Sequence, residues 1–539
     1  LRTSSFVLAA LGFIVAVPPC ATCAAPPPTV KAVKKENRAV MPPPQNSARE
    51  LAAGPIRCTF ADGELRYLHV GDREIVRRVY FAVRDRRWGT VLPKFTKIAV
   101  AQQIANGRVG FTIDLAAVCK NEASGVDYQW TGRIEGKPNG TIIFRATGKA
   151  NADFQSNRIG LCVLYGTPAL VGQKFETVSA AGKTTAYTFP TFVSADLVSP
   201  DFQTLRYTAP NNLTVTTTTV GARVDMEDQR TYGDSSFKAY APLPYAYPAV
   251  PASDPEREET VTITVTNAAV ASLNQIADTT VTLGALVPGA RVPRIAVAPE
   301  AGLPDTIFGS VNGRADKNKG AQTLAWGFNP QIHLFDDDTI RENRTVILDQ
   351  VKSARAFASN AAIRIAPIHV GPPRSGDAPR DPRDDSAFGA AWAASVIKYL
   401  SLAGVNEAQF DMGAFPTQVL SRLASYAGRA VYDVRISQPA PHQGAAVDAF
   451  AVEENGAPVL FLVNLSDQTQ TVACHGLPAK GNDVVEERRL IVPGGSAPAR
   501  RGFFDAPPVV STVPDSADGL NVVLNPFEVC EVRLAVAAP

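Results

Sequence analysis

The stretch DDDTIRENRTVILDQVKSARAFASNAAIRIAPIHV (residues 336–370) decides how the middle of this chain is read. Asp336, Asp337 and Asp338 stand where a helix begins, the end at which unpaired backbone N–H groups favour negative charge. Ile340, Ile347, Val351 and Ala358 then fall on one helical stripe. Ala362 to Val370 follows as a short run rich in apolar and β-branched residues, which reads as a strand. A helix handing over directly to a strand is the repeating step of a parallel α/β unit.

The same step recurs on both sides. Upstream, Arg294–Ala298, Thr306–Val311 and Thr323–Phe328 read as short strands. Downstream, Ser386 caps a helix carrying Trp392, Tyr399 and Leu400, and Gly404 ends it. Val405–Asp411 is a further strand and Pro416–Ala427 a further helix. This grammar fills residues 287–429 and holds five strands. A closed eight-stranded barrel takes about 250 residues, so the reading is a reduced TIM-like (β/α) barrel.

Outside this region helical periodicity vanishes. Residues 51–286 alternate with period two: Leu65–Val70, Val76–Val83, Phe95–Val100, Arg108–Leu115, Tyr128–Ile134, Gly140–Gly148, Ile159–Leu164, Leu213–Val220 and Thr260–Val265. Turn signals such as Ala61-Asp62-Gly63 and Pro138-Asn139-Gly140 separate them, which predicts an N-terminal β-sandwich. Residues 430–539 return to strands at 431–436, 446–452, 458–464, 485–492 and 527–534, a second and smaller β-sandwich. The fold class is therefore multidomain: β-sandwich, reduced α/β barrel, β-sandwich.

The chain of 539 residues is 45% hydrophobic and 19% charged with net charge +2, and its Lys and Arg are scattered. That argues against a nucleic-acid footprint. At the N-terminus, Arg2 precedes an apolar run from Phe6 to Val17, followed by Ala21, Ala24 and Ala25, the order of a secretory signal over residues 1–25. Residues 26–50, rich in Pro, Lys and Ala, read as an extended linker. The expected location is exported, periplasmic or extracellular, with no membrane span once the signal is removed. Five cysteines remain beyond that signal, at 58, 119, 162, 474 and 530, too few and too scattered for a disulfide framework. The five histidines never take metal-ligand spacing, so neither a metal nor a cofactor is expected.

Two sets of residues carry possible chemistry. The first is MEDQRTYGDSSFK (226–238), which places Glu227, Asp228, Arg230, Asp234 and Lys238 after a Thr/Val-rich strand. On a continuing strand Glu227 and Gln229 would face one way, Asp228 and Arg230 the other. The cluster is either a buried ion-pair network joining layers or one wall of a polar pocket. The second set lies just past the α/β strands, where parallel barrels gather their chemistry: Glu300, Asn312, Asn329, Gln331, His333, His369 and Asp411. Asn-Pro-Gln-Ile-His (329–333) sets two amides and an imidazole on one turn, suited to sugar hydroxyls.

The segments LRYLHVGDREIVRRVYFAVRDRRWGTV (65–91), NRIGLCVLYG (157–166), MEDQRTYGDSSFKAY (226–240), FNPQIHLFDD (328–337) and FGAAWAASVIKYL (388–400) resemble, in content and order, the bacterial D-apionate lactonase family. The resemblance implies hydrolysis of a sugar-acid lactone on a TIM-like barrel flanked by β-domains. Its matching polar positions are Glu227, Asp228, Arg230, Asp234 and Lys238, and in the barrel Asn329, Gln331, His333 and Asp336. Two departures stand out. Phe308–Arg314 looks like a glutamate-bearing strand of the family with Ser310 or Val311 at the carboxylate position, and Asp411 stands where a glutamate is expected. Lactone opening needs a base for water and help for the oxyanion. Asp411 or His369 would be the base, and His333, Asn329 or Arg230 would steady the charge. A glycosidase would need two facing carboxylates, for which Asp411 and Glu300 are the barrel pair. The alternative is a pseudoenzyme that binds carbohydrate without turnover. The sequence does not indicate an oligomeric state.

Overall fold

Alternation of side chains governs the N-terminal layers. Along Val126–Lys137 every second residue is buried, so Tyr128, Trp130 and Ile134 enter a core while Gln129, Thr131 and Arg133 face out. In the computed structural model, which describes residues 48–105, 108–241, 249–267, 278–297, 306–332, 334–371, 380–438, 446–478, 484–490, 509–512 and 519–535, this pattern builds two facing sheets. One runs Arg49–Ala53, Ile56–Ala61, Glu64–Val70, Arg73–Asp85, Phe154–Gly166, Ser236–Tyr240, Val224–Asp228, Ser199–Phe202. The other runs from Thr184–Thr188 through Lys174–Val178, Thr204–Ala209, Leu213–Val220, Arg257–Thr266, Thr141–Ala150, Val126–Lys137 and Arg108–Asn121 to Pro93–Ala105. Phe81 of the first stacks on Trp130 of the second at 4.7 Å.

The first sheet is buried on both faces, as Arg73–Asp85 shows by its nearly unbroken burial. Its second face is covered by the α/β unit. There, Thr323–Phe328, Ala362–Ile368 and Glu407–Phe410 lie parallel, with Arg294–Ala296 beside the last of them. Helices Val346–Phe357 and Ala387–Ala403 make the crossovers, and Ala414–Ala424 follows the last strand. Ser386 caps its helix by accepting the Gly389 N–H at 3.1 Å, and Gly404 ends it at φ 71°.

Three expectations change. Thr306–Val311 is not a strand: Phe308–Asn312 is a short helix, because Phe308 and Val311, three apart, bury one face against Trp326. A run this short carries no period that separates the two states. The described α/β strands are therefore four rather than five, and Ser310 and Val311 do not hold a strand position for a carboxylate. The helix after Asp336 is interrupted: Asp337–Glu342 gives way to a 3-10 turn at Asn343–Thr345 before Val346–Phe357, as the Asn343 side chain turns to bond Ser235 N–H and Pro330 O. Finally, Thr279–Arg291, included above in the first sandwich, pairs antiparallel with Ala430–Ser437 and parallel with Gln470–His475.

That strand joins a C-terminal sheet running Val509–Thr512, Val484–Leu490, Val529–Ala535, Ala457–Asn464, Val447–Glu454, Ala430–Ser437, Thr279–Arg291, Gln470–His475, Leu520–Leu524. Residues from both of its ends, among them Val485, Leu460, Val472 and Val522, share one core. The five cysteines described are buried and unpaired. Burial pushes the Cys119 and Cys474 thiols up to about 12.

Candidate active site

Strand register does the first work at the site. Phe328 pairs with Ile368, and Ile368 with Phe410. The next residues are Asn329, His369 and Asp411, so three residues named from sequence stand in one row past neighbouring strand ends, whose backbones run about 4.8 Å apart. Backbone bonds hold the row: His369 N–H to Phe328 O at 3.3 Å and Asp411 N–H to Ile368 O at 2.9 Å.

Each member has a defined environment. His369 is buried, and its Nδ1 lies 2.6 Å from Gly371 O. A carbonyl only accepts, so Nδ1 carries a proton. Asp384, also buried, accepts the Val370 and Gly371 N–H groups at 2.7 and 3.4 Å and so fixes the loop that holds that carbonyl. Burial pushes the Asp384 carboxyl up to about 6, and the Val370 N–H pulls against it. Asp411 accepts from Arg380 Nη2 at 2.6 Å, while Arg380 Nη1 bonds its backbone oxygen at 3.0 Å. Gln331 donates to Val370 O and to Asp381 Oδ2, both at 2.8 Å, which ties the Asn329–Gln331 turn to the end of Ala362–Ile368. Asn329 is 4% exposed, and its Oδ1 has no hydrogen-bond donor among the described residues. His333 and Glu300 lie outside the described residues.

The cluster at 226–238 takes a different form. The strand Val224–Asp228 stops where Asp228 Oδ1 accepts the Arg230 N–H at 3.1 Å and caps a 3-10 turn, Gln229–Thr231. The alternating faces expected of a continuing strand are thus absent. Arg230 pairs with Asp228 at 2.7 Å and with Asp349 of the crossover helix at 3.3 Å, and both the Arg230 and Asp228 side chains are 0% exposed. Gln350 donates to Arg230 O at 2.8 Å. These residues seal sandwich to α/β unit and offer a ligand no face. Asp234 accepts from Ser236 Oγ at 2.8 Å, and burial pushes its carboxyl up. Asp336 belongs to the same seam, between Arg66 at 2.7 Å and Arg78 at 2.8 Å. Lys238 and Glu227 sit further out. Lys238 Nζ is 3.2 Å from Gln229 Oε1 and 3.5 Å from Glu227, and burial drives its ammonium down to about 8 despite Glu227. Gly233, at φ 112°, joins the two regions: a Cβ there would come within 3.1 Å of Asn329 O.

Sequence reading missed Arg380, Asp381 and Asp384. The signal present was the Pro/Arg/Asp-rich composition of 372–385, which names no partner for any of the three.

A sandwich, a parallel α/β unit with polar strand ends, and a C-terminal β-domain define a three-domain protein with an α/β middle domain. The chain belongs to the D-apionate lactonase family: it matches that family's N-terminal domain over residues 37–268, its TIM barrel domain over 298–432 and its C-terminal immunoglobulin-like domain over 444–532. A D-apionate lactonase of Brucella anthropi is 28% identical over 215 residues, which make up 39% of this chain and 34% of that relative. The chain thus spans about a third of the curated relative it matches. Among solved structures, an α-L-arabinofuranosidase of family 51 from Bifidobacterium longum shares 14% identity, covering 45% of this chain and 58% of the other at a TM-score of 0.31. A beta-arabinopyranosidase shares 9%, covering 90% and 100% at 0.27. Superpositions this loose carry no argument.

Proposed function

We propose that the chain hydrolyses a sugar-acid lactone at the Asn329–His369–Asp411 row. What carries the reading is the register that aligns these three residues, with a proton of His369 held on Nδ1. Water attacks the lactone carbonyl, and His369 Nε2 takes its proton. The ring C–O bond then breaks, the proton passes to the leaving alkoxide, and a hydroxy acid results. Arg380 and the Asn329 amide are the donors placed to steady the oxyanion. Asp411, bonded to Arg380 through both its carboxylate and its backbone oxygen, orients that guanidinium rather than serving as base. The sealed Arg230 has no part in this scheme.

The test is proton release from a panel of aldonolactones, followed by pH-stat with purified protein. Turnover above the buffer rate, lost in His369→Gln, is the expected result. No turnover on any five-membered lactone overturns the reading. The Asp411–Arg380 pair favours a second reading, binding without hydrolysis. Calorimetric heat with a sugar acid in a chain that releases no protons would select it.

A further inference from the structure

The first sandwich carries a second constellation, on the turn after Arg73–Asp85 and on Phe154–Gly166. Trp88 is 43% exposed and holds a left-handed backbone at φ 68°, a conformation that L side chains avoid. The turn that imposes it is tight. Asp85 Oδ1 accepts the N–H groups of Arg87 at 2.7 Å and Gly89 at 2.8 Å, and Trp88 N–H bonds Asp85 O at 3.1 Å. The indole is thereby held over the Arg158 guanidinium, 4.8 Å from ring centre to Cζ, and the Tyr240 ring centre lies 4.4 Å from the same Cζ.

Arg158 is the unusual member. Its Nη2 donates to the Tyr240 hydroxyl at 2.9 Å and its Nη1 to Asn157 O at 2.8 Å, while its Nε has no partner among the described residues. Among the described residues no carboxylate lies within ion-pair distance of it. Glu227 is linked to it through the Tyr240 hydroxyl, and already accepts from Gln229 at 2.9 Å and faces Lys238. A half-buried cation without a counter-charge is costly unless something supplies one. The partly exposed Tyr232 feels the charges of both Glu227 and Arg158. Arg86 and Arg87 add positive charge to the rim, and the Asp85 carboxylate is engaged by backbone N–H groups.

We propose that Trp88, Arg158 and Tyr232 form a binding site for a carboxylate-bearing sugar ring. The guanidinium supplies the charge for the carboxylate. The indole supplies a flat apolar face for the ring's C–H face, and Glu227 accepts from a hydroxyl. A monomeric sugar acid and the acidic end of a longer glycan present the same chemistry. The choice of ligand class rests on the sugar-acid reading above, but binding here requires no turnover.

Trp88 makes the test direct, because Trp130, Trp326 and Trp392 are only 3%, 1% and 0% exposed. The full chain is titrated with gluconate, galacturonate, an oligogalacturonate, glucose and acetate while tryptophan emission is recorded. Saturable change with the sugar acids, with glucose and acetate at least about tenfold weaker, is expected. A stronger response to the oligomer assigns a glycan, an equal one the free acid. Arg158→Gln weakens binding at least about tenfold. Trp88→Gly, followed by calorimetry, abolishes it with a melting temperature no lower than wild type, since glycine accepts the left-handed backbone. Asp411→Asn removes turnover and keeps the response. No saturable signal, acetate equal to the sugar acids, or unchanged affinity in Arg158→Gln overturns the proposal, as does a signal that vanishes in Asp411→Asn. A chain that opens lactones but shows none of this binding leaves the strand-end reading standing and removes only this one.

Discussion

The seam and the strand ends are both dense in polar side chains, and they follow opposite rules. In the seam, charge meets charge. Arg230 faces Asp228 and Asp349, Arg66 and Arg78 share Asp336, and Arg77 spans Glu74 and Glu342. At the strand ends, Asn329 keeps a buried oxygen for which the described residues provide no donor, and His369 Nδ1 donates to a backbone carbonyl. A buried acceptor left without a donor costs about 1–3 kcal/mol. Charge density alone therefore does not mark a site. The seam also has atoms without a hydrogen-bond partner among the described residues, Arg66 Nε and Arg230 Nη1, but they belong to guanidiniums that face carboxylates.

The sharpest way to break this contrast is His369→Gln. Loss of the base should lower lactone hydrolysis by about 10²–10⁴-fold with little change in unfolding midpoint. An unchanged rate would remove the strand-end row from the chemistry.

Arg230→Ala attacks the other side. It leaves Asp228 and Asp349 facing each other without their cation, which should cost roughly 3–5 kcal/mol in urea unfolding. Activity per folded molecule should stay at the wild-type level. A midpoint equal to wild type would show that the seam is not what holds sandwich to α/β unit.

Which parts could be read from sequence follows the same division. Leu213–Val220 and Thr323–Phe328 were bounded as observed, because alternation and burial are local. The candidate row was legible because residues past a strand end are known once the strand is. The failures are long-range. Thr279–Arg291 is not among the strands read from sequence; its partner lies at Ala430–Ser437, and nothing in either segment names the other. Phe308–Asn312 failed because five residues cannot show a period. Asp228 and Arg230 could be read as a buried network or as a pocket wall, and composition alone could not choose, being blind to Asp349, which lies on a helix of the next domain and joins their pairing. Arg380 and Asp384 sat in a stretch whose composition was noted and whose partners were not.

Glu259 tests a case between the two rules. Its Oε2 crosses from one sheet to accept the Leu161 N–H of the other at 2.8 Å, with Gly160 leaving room. Burial pushes its carboxyl up from 4.5 to about 7, and the Leu161 N–H and Arg257 oppose that only in part. Between these two values the folded chain binds more proton than the unfolded one, so stability falls as pH rises through the window. Glu259→Gln keeps the shape and removes the titration. Relative to wild type it should gain about 1–2 kcal/mol on going from the bottom of the window to the top, the side chain being partly exposed. Parallel stability curves for the two proteins would show that the Leu161 contact stabilises the ionised form fully.

The smallest change in stability should come from Asn329→Ala, and it is the most discriminating. If the Asn329 oxygen is unpaired because the site awaits a substrate, removing it takes away no hydrogen bond of the folded chain. The midpoint should then move by less than about 1 kcal/mol, while hydrolysis falls by about tenfold or more as an oxyanion donor or hydroxyl contact is lost. A large loss of stability would mean that Asn329 is a structural amide after all, paired as the seam is paired. The contrast between the two regions would then be one of position and not of kind.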